Sequence, residues 1–172
     1  HPKNIGYSAG PDYNRYFKYY EHRDMLGAFE AIDRVEARFA ECFGRAYTGP
    51  VEAVSCDDAE AVLVTLGSIA GLARESVARL REQGKRVGLL RIRYMRPFPS
   101  TLIAEALAGA AAVGVLEKDI SFGAEGTVLT NVNSALQQAG CMVPTFNFVG
   151  GLGGDDITSA QMDAMFDALL GA

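Results

Sequence analysis

The chain reads as an α/β protein, with a Rossmann-like, doubly wound and mostly parallel sheet preceded by an aromatic arm and a helix. Three observations predict this. From Ala61 onward, short apolar runs alternate with stretches of helical period, four times over and with short connections. Those runs are apolar throughout rather than alternating, which suits strands covered on both faces. The 172 residues, 49% hydrophobic and 22% charged, suffice for one sizeable core and an additional arm.

Residues 1–23 are no ordinary linker. Five of the seven tyrosines fall there (Tyr7, Tyr13, Tyr16, Tyr19 and Tyr20), with Phe17 among them, and disordered linkers are poor in aromatics. The segment reads as an arm coming from a preceding domain, packed on its own domain or crossing a neighbour. Residues 24–56 hold a helix and a possible edge strand. Asp24 is placed to cap the helix, which runs to about Phe43 with Met25, Phe29, Ile32, Val35 and Phe39 on one face. Gly44 terminates it, Gly49-Pro50 makes a turn, and residues 51–56 form the short strand.

Residues 57–172 make the α/β body. Ala61 to Leu66 is the first strand, and Ser68 caps a helix striped by Ile69, Leu72, Ala73, Val77 and Leu80. Val87 to Ile92 is the second strand, and Pro99-Ser100 opens a short helix closed by Gly109. Ala112 to Leu116 is the third strand, followed by a glycine-bearing loop and a helix carrying Val128, Leu129, Val132 and Leu136. Pro144 to Val149 is the fourth. Thr158 with Gln161 forms a capping box that starts a last helix through Met162, Phe166 and Leu169.

Several function classes are excluded at this level. The net charge of −5 argues against a nucleic-acid binder, and no apolar run reaches the roughly 20 residues of a membrane span. Cys42, Cys56 and Cys141 lie far apart, so they frame neither a zinc site nor an iron–sulfur cluster; scattered thiols suggest a reducing, cytoplasmic setting. His1 and His22 stand near no plausible nucleophile, so no catalytic centre can be proposed. Residue 1 is His rather than Met, and the chain reads as a piece of something longer, although tag removal or processing would produce the same start.

The candidate chemistry gathers at strand ends. Arg91, Arg93 and Arg96 fall within six residues where the second strand turns cationic, at the end where open α/β sheets place a ligand or partner. If the second and third strands are neighbours, Glu117 pairs with Arg91 or Arg93; the alternative leaves an arginine free to grip an anion on a ligand or neighbour. In Gly67-Ser68-Ile69 the glycine permits a tight turn and the serine caps the helix. Ile69 stands where a dinucleotide fingerprint needs its second glycine, though an anion at the helix start remains open. Gly150-Gly151-Leu152-Gly153-Gly154 reads as a close-approach loop in preference to a phosphate loop, because Asp155 and Asp156 beside it would repel phosphate.

The ordered set of motifs carries a resemblance over nearly the whole chain. Thr65-Leu66-Gly67-Ser68, Arg81 to Gly88, and Arg91-Ile92-Arg93-Tyr94-Met95-Arg96-Pro97-Phe98-Pro99 occur in succession. Val115-Leu116-Glu117-Lys118, Ser121-Phe122-Gly123-Ala124-Glu125-Gly126 and Gly150 to Asp155 follow. Together they resemble the C-terminal region of the alpha subunit of pyruvate:ferredoxin (flavodoxin) oxidoreductase, and His1-Pro2 with the tyrosine-rich arm resembles the approach to it. The resemblance implies a transketolase C-terminal-like sheet without a dinucleotide, in an enzyme that oxidatively decarboxylates a 2-oxoacid to an acyl-CoA. Thiamine diphosphate with magnesium, iron–sulfur clusters and CoA are implied for the whole complex and none for this stretch, with the other domains and subunits, and ferredoxin or flavodoxin through the complex, as partners. The Ser121-Phe122-Gly123 loop looks more like the pyruvate branch than the 2-oxoglutarate branch. Asp155 departs from the arginine expected there, which puts an inherited anion contact at that loop in doubt. The residues expected to make interface or anion contacts are therefore Arg91, Arg93, Arg96, Glu117, Gly67, Ser68, Ser121, Gly123, Gly151, Gly153 and Gly154. The alternative is a free-standing nucleotide- or CoA-binding module; a regulatory domain of an unrelated enzyme leaves the motif order unexplained.

Overall fold

The structure, a computed structural model, describes residues 8–47 and 49–172. His1-Pro2 and Tyr7, noted above, lie outside the described residues. Two compact units divide the chain, His1–Tyr47 and Thr48–Ala172.

In the first unit a single helix, α1, spans Pro11–Phe43, 33 residues or about 50 Å. Pro11 takes the first helical position, where its missing N–H costs nothing. Gly44 closes the helix at φ 66°, its N–H bonded to the Ala40 carbonyl. The helix therefore begins well before Asp24, which caps nothing and instead pairs with Arg23 at 2.7 Å. Residues 11–23 of the tyrosine-rich arm form its first third. Tyr13, Tyr16, Phe17 and Tyr20 repeat at spacings of three and four, and Arg15–Asp12 and Lys18–Glu21 pairs brace the first turns. None of the helix is fully buried.

The second unit is a three-layer α/β/α domain. Its strands are β1 (Val51–Val54), β2 (Ala61–Leu66), β3 (Val87–Ile92), β4 (Ala112–Glu117) and β5 (Thr145–Val149), and its helices are α2 (Ala70–Glu82), α3 (Ser100–Leu107), α4 (Thr127–Gln138) and α5 (Ser159–Leu170). The order across the sheet is β1-β3-β2-β4-β5. The last four are parallel to one another, and β1 runs antiparallel along the β3 edge.

Strand periodicity divides the core. Val62, Val64, Leu90, Ile92, Val113 and Val115 face α3 and α4. Ala61, Leu63, Val87, Leu89, Ala112 and Leu116 face α2 and α5, where Phe166 and Met162 are fully buried. This double cover explains the unbroken apolar runs. Arg79 on α2 reaches both carboxylate oxygens of Asp163 on α5, at 2.6 and 2.8 Å. Thr158 and Gln161 form the capping box of α5. Ser68 does not cap α2. It belongs to a short 3₁₀ turn, Gly67–Ile69, that begins at Gly67 with φ 80° and makes no side-chain cap.

The chain leaves β2 for β3 on one side, then crosses back to β4 on the other. That reversal splays the connections apart at the carboxyl ends of β2 and β4, and a crevice there is the expected consequence.

Candidate functional site at the strand switch point

A cavity of about 370 Å³ occupies that crevice, within the range of small-molecule pockets. Leu66 and Ile69 line it from the β2 side, Leu116, Glu117 and Lys118 from β4, and Met95 and Ile157 from the flanking loops. Its walls are largely apolar, and its ionisable groups come from the end of β4.

Glu117 is 5% exposed and sits against the first turn of α4. Its carboxylate accepts hydrogen bonds from the backbone N–H groups of Val128 at 2.7 Å and Leu129 at 3.2 Å. These are two of the four donors that a helix start leaves without intrahelical partners. Asn147 on β5 completes the arrangement, its Nδ2 donating to Glu117 Oε1 at 2.8 Å while its Oδ1 accepts the Gly126 N–H at 2.9 Å. A Cβ on Gly126 would stand 2.1 Å from the Glu117 carboxyl carbon. The residue before α4 must therefore be glycine, since a carboxylate from a distant strand fills the place of a local cap. Burial pushes the Glu117 carboxyl above the usual range, and the two backbone donors pull it partly back. Asp119 is held low by the Thr127 hydroxyl, which donates to it at 2.8 Å.

This corrects the expected Glu117–arginine pair. β2 lies between β3 and β4, which separates Glu117 from Arg91 and Arg93 by a strand. Arg91 stands opposite Glu52 of β1 and reaches its carboxylate at 3.5 Å, while Arg74 binds the same oxygen at 2.8 Å. Arg91 Nε and the hydroxyl of its other neighbour, Thr65, are buried without a hydrogen-bond partner. Arg93 donates to the Gly49 carbonyl at 2.5 Å and lies over the Tyr94 ring. Arg96 is exposed and donates to the Met95 carbonyl at 2.6 Å. None of the three lines the cavity.

The other expected positions frame the same edge. Gly67 and Ser68 lie between two cavity residues, Leu66 and Ile69. Ser121 and Gly123 belong to the loop that leaves and rejoins the cavity wall; Ser121 O accepts the Ala124 N–H at 2.8 Å, and Gly123 has φ 83°. Gly151, Gly153 and Gly154 all take positive φ in the loop after β5. The Lys118 side chain packs on Gly151, where a Cβ would stand 2.8 Å from its Cε. Another backbone is the expected neighbour of this run; a lysine side chain meets it instead, and only at Gly151, since a Cβ on Gly153 or Gly154 would stand in open space.

Residues 59–162 match the model of the family described as pyruvate:ferredoxin oxidoreductase core domain II. The chain belongs to that family. It is 38% identical to pyruvate synthase subunit PorA of Methanothermobacter thermautotrophicus, over 94% of this chain and 41% of that protein. It is 35% identical to ketoisovalerate oxidoreductase subunit VorA of Pyrococcus abyssi, over 95% and 42%. The chain thus spans about two fifths of the length of these curated relatives. Among solved structures, a 2-oxoglutarate:ferredoxin oxidoreductase from Magnetococcus marinus superposes with a TM-score of 0.54 at 18% identity, covering 72% of this chain and 20% of that one. A split-gene transketolase gives 0.53 at 17%, covering 70% and 41%. The fold is therefore transketolase C-terminal-like.

Among the described residues no three His, Cys, Asp or Glu side chains converge on a possible metal position. The Cys56 thiol, bonded to the Leu89 carbonyl at 3.3 Å, is pushed up to about 11 by burial, which leaves it unreactive. The start of α4, where a phosphate would otherwise find free N–H groups, is filled by Glu117. Asn147, Asp119 and Lys118 were missed as site residues. Asn147 carried a legible signal, since it is the one polar residue within Phe146-Asn147-Phe148-Val149.

Proposed function

We propose that this chain is the structural and assembly domain of a thiamine diphosphate-dependent 2-oxoacid:ferredoxin oxidoreductase, with pyruvate as the first candidate substrate. The whole enzyme oxidatively decarboxylates the acid, passes electrons to ferredoxin or flavodoxin and forms an acyl-CoA in the cytoplasm. The family match over residues 59–162 carries this reading. The relatives' names divide between pyruvate and ketoisovalerate at similar identity, which supports the 2-oxoacid class more strongly than any one acid.

Within that enzyme the domain binds no cofactor of its own. Thiamine diphosphate with magnesium, when bound elsewhere in the complex, supplies the decarboxylation chemistry, and the clusters carry the electrons. This chain contributes a rigid carboxyl edge, built from the loops after β2, β3, β4 and β5, that packs against other domains and subunits. The arginines and glycine loops are its contacts there, and the division into residues 1–23, 24–56 and 57–172 belongs to the same proposal. The rival module binding CoA or a nucleotide is disfavoured by Ile69 in the first turn and by the carboxylate already seated at α4.

Calorimetry against CoA and ADP, with a ferredoxin-reduction assay of the assembled complex, tests the proposal. No heat from either ligand, together with 2-oxoacid- and CoA-dependent ferredoxin reduction, is expected. Micromolar binding of CoA or nucleotide to this chain would overturn it. Arg93→Glu should weaken assembly of the complex, and full assembly and activity in that variant would remove Arg93 from the interface.

A further inference from the structure

Two polar atoms inside the sheet are left over by the fold. Thr65 Oγ1 and Arg91 Nε are buried, and neither has a hydrogen-bond partner. Native interiors satisfy almost all such groups, so an exception calls for a cause such as a bound ion. The two residues are register partners on the parallel strands β2 and β3, and they share one face of the sheet. Leu63 and Leu89, the next residues on that face of each strand, belong to the core under α2 and α5. With strands about 4.8 Å apart, both atoms can reach one small body between them. Thr65 is fully buried, and its partner on the other side is the equally buried Leu116. The room there suits a single atom better than a tetrahedral oxyanion.

The charge of this corner selects the sign. Arg91 and Arg74 both reach Glu52, at 3.5 and 2.8 Å, and among the described residues no other carboxylate lies within ion-pair distance of either. Glu52 stays ionised, because the Arg74 hydrogen bond above all holds its carboxyl below the usual range. Two guanidiniums against one carboxylate leave a surplus positive charge in a part-buried place, which an anion balances and a water molecule does not. The start of α2, the helix that carries Arg74, adds to it. Neither the 3₁₀ turn Gly67–Ile69 nor α2 has a side-chain cap or an acidic residue in its first turn, so the positive end of the helix dipole meets no local counter-charge.

We propose that one halide ion, chloride under ordinary conditions, binds between Thr65 Oγ1 and Arg91 Nε on the α2 side of the sheet, accepting a hydrogen bond from each. It balances the surplus guanidinium charge and ties β2 to β3 near their carboxyl ends. The site lies on the helix-covered face of the sheet, so it stands whatever meets the carboxyl edge and whichever 2-oxoacid the enzyme uses.

The test is urea unfolding of the polypeptide as encoded in full, with chloride replacing gluconate at constant ionic strength so that screening is fixed. Stability should rise with chloride, the folding constant being about elevenfold larger at ten times the dissociation constant, and bromide should act alike. Thr65→Val removes the hydroxyl and keeps the shape. It should flatten the chloride dependence while leaving the chloride-free protein at least as stable, because the orphan polar group goes with it. Thr65→Ser keeps the hydroxyl and should keep the dependence. Arg91→Lys keeps the charge without an Nε and should weaken the halide by roughly tenfold or more. In a crystal grown in bromide, an anomalous-scattering peak should stand between the two side chains. Stability indifferent to chloride, or a Thr65→Val protein with the wild-type dependence, would overturn the proposal. So would an ordered water at that position in bromide. A bromide peak with no effect in solution would mark an adventitious ion only, and would overturn it equally.

Discussion

Two strand ends on one edge of the sheet carry charge and meet opposite fates. β3 leaves through Arg91, Arg93 and Arg96, and its lateral neighbour is the short antiparallel β1. The arginines there take what the edge offers: Glu52 for Arg91, a turn carbonyl for Arg93, and their own loop for Arg96. β4 leaves through Glu117 between β2 and β5, and its carboxylate is enclosed against the start of α4 by three donors. Charge at a strand end does not by itself mark a binding group. What decides is whether the strand borders solvent or the interior, because a charge removed from water must be fully hydrogen-bonded to persist.

The contrast should be sharpest on deletion. Glu117→Ala strands the Val128 and Leu129 N–H groups and the Asn147 amide, and a loss of about 3 kcal/mol in urea unfolding is expected. Arg91→Met, at the partly exposed end of β3, should lose about 1 kcal/mol or less. Equal losses would erase the distinction between the two strand ends.

Gly126→Ala comes next, at about 2 kcal/mol. The backbone at Gly126 has φ −72°, which alanine adopts freely, so the cost arises from collision with the Glu117 carboxylate. Combining it with Glu117→Ala should therefore cost less than the sum of the two, and strict additivity would show that the collision is not the cause.

A smaller effect concerns pH. The folded-state pKa of Glu117 is raised by burial, so the folded protein holds that proton more firmly than the unfolded chain does. Stability should fall as pH rises from the ordinary glutamate range through the raised value. Asp119, held low, acts in the opposite sense and loses its contribution as pH falls. Glu117→Gln should remove the loss on the rising side and weaken the Asp119 contribution without abolishing it, because the Thr127 hydroxyl holds Asp119 low first and the Glu117 carboxyl second; melting temperatures across the acid range read both. Smallest of all, Arg96→Ala should change stability by about 0.5 kcal/mol or less; a larger change would mean that the β3 end is more enclosed than its exposure indicates.

The sequence alone determined the elements and their class. Three buried runs, the partly exposed fourth, the helical stripes between them and the Thr158–Gln161 box are properties of neighbouring residues, and periodicity reports them directly. It could also have reported the full extent of α1, because Tyr13, Tyr16, Phe17 and Tyr20 already repeat at helical spacing. The pull of Asp24 as a cap and the aromatic richness of the segment obscured that pattern. Tertiary structure decided who meets whom. The order β1-β3-β2-β4-β5 inserts β2 between the arginines and Glu117, and it delivers that carboxylate to a helix whose own cap position is a glycine. Local pattern encodes which face of a strand is buried, but lateral order is set by the packing of the whole sheet. The partner of a charge at a strand end therefore becomes visible only once that order is known.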